Sequence, residues 1–329
     1  MISKQRSLSE PINCSSWPDI SSLVFRVFLS IIQKLELTSF GGYWYSSLSL
    51  PEISAFQQPV SATAPYTWDV VLYFCWCIAP APGPRSRRPW YFLKGSNWAM
   101  MLLHSIVHTV HNKEPPPIIP LIEFRAANKL ERLKAEPSPR ALGTHLNYDY
   151  IPQSFFEKKV KMLVVFRNPK DTAASLFHFY NNNPMLPTYN SWDDFFPDFM
   201  AGKVIFGSYF DHAVAWNKHL DDTNLLLTFE DMKEDLQGSI KKISEFFGLS
   251  LTEAQVNEIS DKGTFKFMKE NSKQTHGEFG KVIFRKGEVR DWKNHFSEAQ
   301  SQEMDAKFEA CLAGTKIGEM LKYNVHCKW

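Results

Sequence analysis

Three short segments place basic side chains at turns that could bind a phosphate, and the first of them precedes a predicted helix. Lys94-Gly95-Ser96-Asn97-Trp98 follows residues 90–93, a short apolar run that predicts a strand. A strand, a glycine-bearing turn and a helix N-terminus aim backbone N–H groups at one point, where an anion can bind. The lysine precedes the glycine, unlike the nucleotide triphosphatase P-loop, so an ordinary NTPase is disfavoured. A plain strand-to-helix connection capped by Ser96 explains the turn equally well.

The second segment begins where a buried strand is predicted to end. The apolar run from Met162 to Phe166 predicts that strand, Arg167 follows it, and Ser175 lies on the next predicted helix. Ligands of open α/β sheets bind outside the carboxyl ends of the strands. A guanidinium can bind a phosphate through two N–H groups, and a serine hydroxyl can add a hydrogen bond. The alternative is that Arg167 pairs with Asp171 at the start of the helix.

The third segment is Arg285-Lys286-Gly287, a basic pair on a glycine turn. Adjacent cations beside a flexible backbone can clamp a phosphate. A surface loop often has the same composition, so this segment alone does not decide between the two readings.

Other chemistry-bearing groups are weaker candidates. His104, His108 and His111 have the spacing of zinc ligands on one helix, but no carboxylate or cysteine nearby completes a ligand set. We therefore predict no metal site. Cys75-Trp76-Cys77 lacks the two-residue spacer of redox and zinc motifs and indicates two buried thiols. One aromatic-rich stretch predicts core packing or, alternatively, an apolar acceptor pocket. Its members are Phe177, Phe179, Tyr180, Trp192, Phe195, Phe196 and Phe199.

The elements that must position these residues alternate between apolar runs and helical patterns from residue 89 onward. That order predicts an α/β fold with a parallel sheet flanked by helices, in which a further strand covers 224–229. Gly248 and Gly314 stand where two of the helices should end. The predicted helices are 97–111, 171–181, 208–220, 236–247 and 298–312.

Composition limits the class of protein. The chain has 329 residues with 37 basic and 35 acidic side chains, which excludes a disordered tail protein and a strongly basic nucleic-acid binder. Residues 1–88 are serine-rich with few charges and form an atypical N-terminal segment, whereas 89–329 form the predicted α/β domain. The apolar stretches 23–32 and 70–78 are too short to span a bilayer and predict interfacial or core segments. Five scattered cysteines and the absence of a clear signal sequence favour the cytoplasm.

Several motifs together resemble the cytosolic sulfotransferase family, and its 6B branch in particular. Pro139-Arg140, Thr144-His145-Leu146 and the blocks Phe166 to Ser175 and Phe284 to Lys293 occur in that family's order and spacing. The resemblance covers residues 91–329, and residues 1–88 do not resemble the family's usual N-terminal region. It implies the P-loop-like sulfotransferase fold.

The resemblance also implies an activity and a set of site residues. Such enzymes move the sulfuryl group of 3′-phosphoadenosine 5′-phosphosulfate (PAPS) to a hydroxyl or amine of a small acceptor. Trp98 and Phe265 match the positions that sandwich the adenine, Phe206 stands near the base, and His145 matches the catalytic base. A neutral imidazole is suited to removing the proton of an acceptor hydroxyl. The residues implied to hold the 3′-phosphate are Arg167, Ser175, Arg285, Lys286 and Gly287. The residues implied to hold the 5′-phosphosulfate are Lys94, Gly95, Ser96, Asn97 and Trp98.

One departure from the family's pattern bears on catalysis. The family's turn reads Tyr-Pro-Lys-x-Gly-[Ser/Thr]-x-Trp, and alignment on Gly95 and Trp98 puts Leu93 at the lysine. Lys94, the lysine assigned to catalysis, therefore comes one residue late. Two hypotheses follow: a sulfotransferase of reduced activity acting through His145, or a silent variant that only binds the nucleotide.

Milder departures concern other positions. Gly143 stands where many members have a second lysine, and Arg290 replaces a glycine, so that a positive φ there would be strained. The family's dimer motif is only partly matched by Lys293, Ser297 and Gln302, with Glu298 where valine is usual. A charge at that apolar contact makes this mode of homodimerisation doubtful.

Overall fold

A four-stranded parallel sheet forms the centre of the computed structural model, which describes residues 70–74, 96–112, 141–184, 186–205, 207–277 and 280–329. The strands are β1 (Val70–Phe74), β2 (Ala141–Thr144), β3 (Lys161–Phe166) and β4 (Asn224–Thr228). Their spatial order is β2-β1-β3-β4, and Val71 lies opposite Leu142 on one side and Met162 on the other. Because all pairs are parallel, the carboxyl ends of the strands share one edge of the sheet.

Helices flank this sheet, as the alternating pattern predicts, and the α/β fold class is confirmed. The first seven helices of the described ranges are α1 (Ser96–His111), α2 (Gln153–Glu157), α3 (Pro169–Asn182), α4 (Trp192–Met200), α5 (Tyr209–Lys218), α6 (Phe229–Glu234) and α7 (Leu236–Phe247). The remaining described helices are α8 (Glu253–Lys262), α9 (Phe265–Glu270), α10 (Ser272–His276), α11 (Gly280–Ile283), α12 (Glu298–Leu312), α13 (Lys316–Met320) and α14 (Tyr323–His326). Two 3₁₀ turns cover Tyr148–Tyr150 and Asp291–Asn294.

Strand β3 shows why both faces of the sheet are covered. Its residues Met162, Val164 and Phe166 pack in a core with side chains of α3, α4, α5 and α12. Its residues Leu163 and Val165 point to the other face and pack with α1, α7 and α8. An unbroken apolar run is the pattern expected of a strand that is buried on both faces.

The first of these cores also takes up most of the aromatic stretch noted in the sequence. Four of its phenylalanines and its tyrosine are buried there, which confirms core packing for these five rings. They are Phe179, Tyr180, Phe195, Phe196 and Phe199. The apolar acceptor pocket proposed for the stretch must therefore be sought at its partly buried members, Phe177 and Trp192.

Local sequence signals set most helix boundaries. Helix α7 spans the predicted residues, and Gly248 ends it with φ of 70°. Helix α12 also has its predicted bounds, and a capping box begins it in which Ser297 and Gln300 bond each other's backbone. Helix α3 begins two residues earlier than predicted because Asn168 caps it and Pro169 occupies its first position.

Strand β1 comes from the part of the chain that the sequence analysis set apart. The apolar stretch 70–78 predicted an interfacial or core segment, and residues 70–74 are in fact a strand between β2 and β3. The domain boundary at residue 89 stays a prediction, with one strand of the sheet lying before it. The predicted strand 90–93 falls outside the described residues. Within the described ranges, no helix combines the length and apolarity that crossing a membrane requires.

Candidate active site

Three chain segments leave the sheet at its carboxyl edge. His145 follows β2, Arg167 follows β3 and Phe229 follows β4. The parallel pairing brings these strand ends to the same edge, which is where ligands bind in open α/β sheets. The parallel direction of the strands therefore brings His145, the basic Arg167 and the aromatic Phe229 to the same edge. The acidic Glu230 follows Phe229 and lies there too.

A pocket at this edge brings together seven of the residues named from the sequence. They are Trp98, Arg167, Ser175, Phe265, Arg285, Lys286 and Gly287. These residues come from four segments that are far apart in the chain: the start of α1, the turn before α3 with α3 itself, the start of α9, and the glycine turn after α11. The residues named from the sequence supply three cations and two aromatic rings, which suits a nucleotide that carries phosphate groups.

The Arg167 guanidinium lies over an aromatic ring that also lines this pocket. Its guanidinium lies 4.4 Å from the centre of the Phe229 ring and donates a hydrogen bond of 2.7 Å to the carbonyl oxygen of Glu288. Its Nη2 lies 3.6 Å from Oδ2 of Asp171, so the predicted pairing with Asp171 exists as a long contact. The side chain therefore lines the pocket and also faces Asp171, and its role as a phosphate ligand stays a prediction.

The basic pair of the glycine turn is held by Asp291. The Asp291 carboxylate is 4% exposed and accepts hydrogen bonds from both Arg285 and Lys286. Burial alone would raise the pKa of this carboxyl, but the bonds from Lys286 and Arg285 outweigh burial and hold the pKa well below its usual range. Asp291 therefore stays ionised and keeps both cations beside the pocket.

The aromatic residues named from the sequence line the pocket from two helices. Trp98 lies in the first turn of α1, and its Nε1 donates a hydrogen bond of 2.7 Å to the carbonyl oxygen of Gly263. Its ring meets Phe229 edge-on at 5.2 Å. Phe265 begins α9, and Lys269 lies 5.8 Å from the centre of its ring. The two rings therefore face the same pocket from different helices, and their stacking on a base stays a prediction.

Position 287 requires a glycine because of its positive φ and because Phe265 lies too close for a Cβ. Its φ is 66°, and a Cβ added there would lie 2.3 Å from Cδ2 of Phe265. Gly287→Ala should therefore displace the Phe265 ring and, for the nucleotide that the resemblance implies, lower the affinity for its product form 3′-phosphoadenosine 5′-phosphate (PAP) about tenfold to a hundredfold. A titration that follows tryptophan fluorescence would measure this loss.

Gly248→Ala is the matched control for that variant. Gly248 also has a positive φ, 70°, but an added Cβ there would meet nothing within 4 Å. This variant should lose about 1 kcal/mol of stability and keep its affinity for PAP. Equal affinities of the two variants for PAP would contradict the role given to the contact between Gly287 and Phe265.

His145 is buried directly after β2. It is 1% exposed, and the turn that carries it is closed by a hydrogen bond of 3.2 Å from Leu146 N–H to the Thr144 hydroxyl. His145 is not among the residues that line the described pocket. His145 therefore lies at the carboxyl edge of the sheet, and its role as the base stays a prediction.

The remaining residues named from the sequence are only partly described. Ser96 and Asn97 form the start of α1, as expected for a turn that opens a helix. Lys94, Gly95 and Phe206 lie outside the described residues, so their predicted roles stay predictions.

Phe229, Lys233 and Glu288 also line the pocket, and the sequence analysis did not single them out. Phe229 could have been found, because it closes the predicted strand 224–229 and therefore stands at the carboxyl edge. Lys233 and Glu288 carry no such signal, since a lysine on a short helix and a glutamate in a loop are common on any surface.

The structure brings possible metal ligands together at a place other than the three histidines considered in the sequence. Within the described ranges, the atoms of His178, Asp291 and His295 lie within 4.8 Å of one another. Asp291 already accepts bonds from two cations, which opposes a further positive charge at this place. In α1, the rings of His104 and His108 are 5.4 Å apart, and burial, followed by the charge of His108, lowers the pKa of His104 to about 3.

Arg290 adopts the strained conformation that the sequence analysis considered. Its φ is 70°, in the left-handed region where a glycine costs least. Its backbone N–H donates a hydrogen bond of 2.7 Å to Asp171, and its guanidinium donates to the carbonyl oxygen of Val325. These two bonds hold the residue in a conformation that an arginine does not favour.

Comparisons with known proteins show the family of this chain. A model of the sulfotransferase domain matches residues 55–316. Mouse sulfotransferase 6B1 is 52% identical over 235 residues, covering 71% of this chain and 78% of the relative. Human sulfotransferase 6B1 is 51% identical over 236 residues, with the same two coverages. The crystal structure of mouse sulfotransferase SULT7A1 complexed with PAP is 30% identical with a TM-score of 0.66, covering 88% of this chain and 99% of that one. The chain belongs to the sulfotransferase family.

Proposed function

We propose that this protein transfers the sulfuryl group of PAPS to a hydroxyl, or an amine, of a small lipophilic acceptor. The observation that carries the proposal is the pocket in which Arg167, Arg285 and Lys286 meet Trp98 and Phe265. The similarity to a sulfotransferase solved with PAP supports the same nucleotide for this chain.

The residues present fit a nucleotide with a 3′-phosphate. We call Arg167, Ser175, Arg285, Lys286 and Gly287 the 3′-phosphate cradle, because two arginines and a lysine can bind its oxygens while the serine adds a hydroxyl. The glycine leaves no Cβ to fill the space next to Phe265.

The other nucleotide contacts follow from the resemblance. Trp98 and Phe265 stack on the adenine, Phe206 lies near it, and the turn from Lys94 to Trp98 holds the 5′-phosphosulfate. The N-terminus of α1, which begins at Ser96, adds backbone N–H groups and the positive end of a helix dipole at that turn.

His145 acts as the general base in this proposal. The acceptor hydroxyl loses its proton to the imidazole, its oxygen forms a bond to sulfur, and the bond between sulfur and the bridging oxygen breaks. The 5′-phosphate of PAP takes the electron pair of the broken bond. Lys94 stabilises the charge that develops on that bridging oxygen if it reaches the position at which the family has its lysine.

The second candidate function is nucleotide binding without transfer. The displaced lysine favours it, because Leu93 stands where the family's turn has Lys. The two functions share the pocket and differ only in whether the sulfuryl group moves.

The experiment that tests the proposal measures binding and transfer on the same preparation. At about 100 times its dissociation constant, PAP should stabilise the protein by about 2.7 kcal/mol, seen as a rise in Tm. Arg285→Ala should remove most of that rise, since it takes one cation from the cradle. Lys241→Ala, which breaks an exposed ion pair with Glu253, is the matched control and should leave the rise unchanged.

Transfer is then assayed with PAPS and a phenolic acceptor. Sulfated product that depends on Arg285 supports the enzyme, and a Tm rise without product supports the silent nucleotide binder. A wild-type protein that shows neither a Tm rise nor product would refute both functions.

The cellular location and metabolic role of the protein are also part of the proposal. We place the protein in the cytoplasm, where it would conjugate xenobiotics or hormones. The described cysteines, Cys311 and Cys327, are both free thiols, which fits a reducing compartment. Homodimerisation through the family's motif stays doubtful, since Glu298 is exposed in the first turn of α12.

A further inference from the structure

The buried carboxylate of Asp171 touches the chain on both sides of Asp291. Asp171 lies in the first turn of α3 and is 1% exposed. Its Oδ2 accepts the backbone N–H of Arg290 at 2.7 Å, and its Oδ1 accepts that of Trp292 at 3.0 Å. One side chain therefore fixes the backbone of the turn that carries Asp291.

Asp291 passes this constraint on to the 3′-phosphate cradle. Its carboxylate is bonded by Arg285 and Lys286, and Asn294 Nδ2 adds a third hydrogen bond of 2.9 Å. Any shift of the turn at 290–292 therefore moves the two cations that face the phosphate.

Asn168 holds Asp171 itself in place. Its Nδ2 donates to Oδ2 of Asp171 at 2.8 Å and to Oε1 of Glu230 at 2.6 Å, and its backbone N–H donates to the same Oε1 at 3.1 Å. Asn168 also caps α3, since its Oδ1 accepts the N–H of Asp171 at 2.8 Å. The asparagine follows Arg167 directly, so the same bonds fix the backbone from which Arg167 leaves β3.

The buried Glu230 completes the arrangement at the end of β4. It is 4% exposed, and burial raises the pKa of its carboxyl while Arg167 opposes that shift. Asn168, Asp171 and Glu230 thus tie the turn after β3 to the turn after α11 through side chains that do not reach the pocket surface.

We infer that Asp171 is a positioning residue for the 3′-phosphate of the nucleotide. It holds Arg167 and the pair Arg285 and Lys286 at a fixed separation before the nucleotide arrives, and it does not contact the nucleotide. Preorganisation of this kind raises affinity because the turns need not be ordered during binding. The inference rests on the proposed function, since it takes the cradle as the place of the 3′-phosphate.

The test compares two nucleotides that differ only in the 3′-phosphate, PAP and adenosine 5′-monophosphate. In Asp171→Asn one acceptor oxygen becomes an NH₂ group that faces N–H donors, so the turn at 290–292 loses its anchor. PAP affinity should fall about tenfold to a hundredfold, and adenosine 5′-monophosphate affinity should change by less than about twofold. Isothermal titration calorimetry on the full chain measures both.

Two further variants keep the test decisive. Asp211 occupies the same position after its cap residue Ser208 on α5 but is exposed, so Asp211→Asn should leave both affinities unchanged. Asn168→Ser keeps an acceptor for the cap of α3 and the backbone bond to Glu230, and it removes the Nδ2 donor that bridges Asp171 and Glu230. It should show the same selective loss for PAP and decides the matter if Asp171→Asn does not fold.

The possible results separate this inference from the proposed function. An equal loss of both affinities in Asp171→Asn and Asn168→Ser, or an unchanged affinity for PAP, would overturn the positioning role. A wild-type chain that binds the two nucleotides equally would instead overturn the assignment of the cradle to the 3′-phosphate, and the positioning role with it.

Discussion

His145→Ala should reduce sulfuryl transfer about 10²- to 10⁴-fold, the range expected when a general base is removed. The acceptor hydroxyl would then have to lose its proton to water. Affinity for PAP should not change, because His145 does not line the pocket that holds the nucleotide residues. Initial rates with PAPS and a phenolic acceptor, together with a PAP titration, give both quantities.

The burial of His145 calls for a second variant. The side chain is 1% exposed, so alanine leaves a cavity that lowers stability on its own. His145→Gln keeps a polar side chain of similar size that cannot take up a proton, and it should lose as much activity as alanine. His111→Ala, at the exposed end of α1, is the control and should keep full activity. Transfer within about tenfold of wild type in both His145 variants would exclude the histidine as the base.

Sequence reasoning located two parts of the pocket because each carried a local signal, whereas Phe265 came only from the resemblance to the family. Arg167 stood after an unbroken apolar strand, and Arg285-Lys286-Gly287 stood on a glycine turn. The structure confirms that these segments meet. What the sequence could not show is how they are held, because Asp171 bonds the backbone of Arg290 and Trp292 more than a hundred residues further along the chain.

The elements of the fold also differ in whether local sequence or long-range pairing identifies them. Helix α7 has its predicted bounds because an apolar periodicity and a terminal glycine mark it locally. Strand β1 was missed because five apolar residues of a strand in a parallel sheet resemble any other short apolar run. Its partners β2 and β3 follow at residues 141 and 161, so only the pairing itself identifies it.

Leu93→Lys should raise turnover about 10²- to 10³-fold, the loss that removal of one preorganised donor usually causes. The family's turn places a lysine at this position, where its charge meets the negative charge that develops on the bridging oxygen. Leu93 lies outside the described residues, and its equivalence to the family's lysine comes from the alignment at Gly95 and Trp98. Single-turnover rates of PAPS with a phenolic acceptor measure the change, and Leu93→Met is the uncharged control of similar length.

The role of Lys94 determines how a gain in turnover by Leu93→Lys is interpreted. If Lys94 already reaches the bridging oxygen through a shift of the loop, Lys94→Ala should lower turnover about 10²-fold or more, and Leu93→Lys should add little. If Lys94 points elsewhere, Lys94→Ala should leave turnover unchanged and Leu93→Lys should restore it. PAP affinity within about twofold of wild type would show that the nucleotide still binds in each variant. A Leu93→Lys protein that binds PAP and gains no activity, beside a Lys94→Ala protein that loses none, would refute the displaced lysine as the cause of slow transfer.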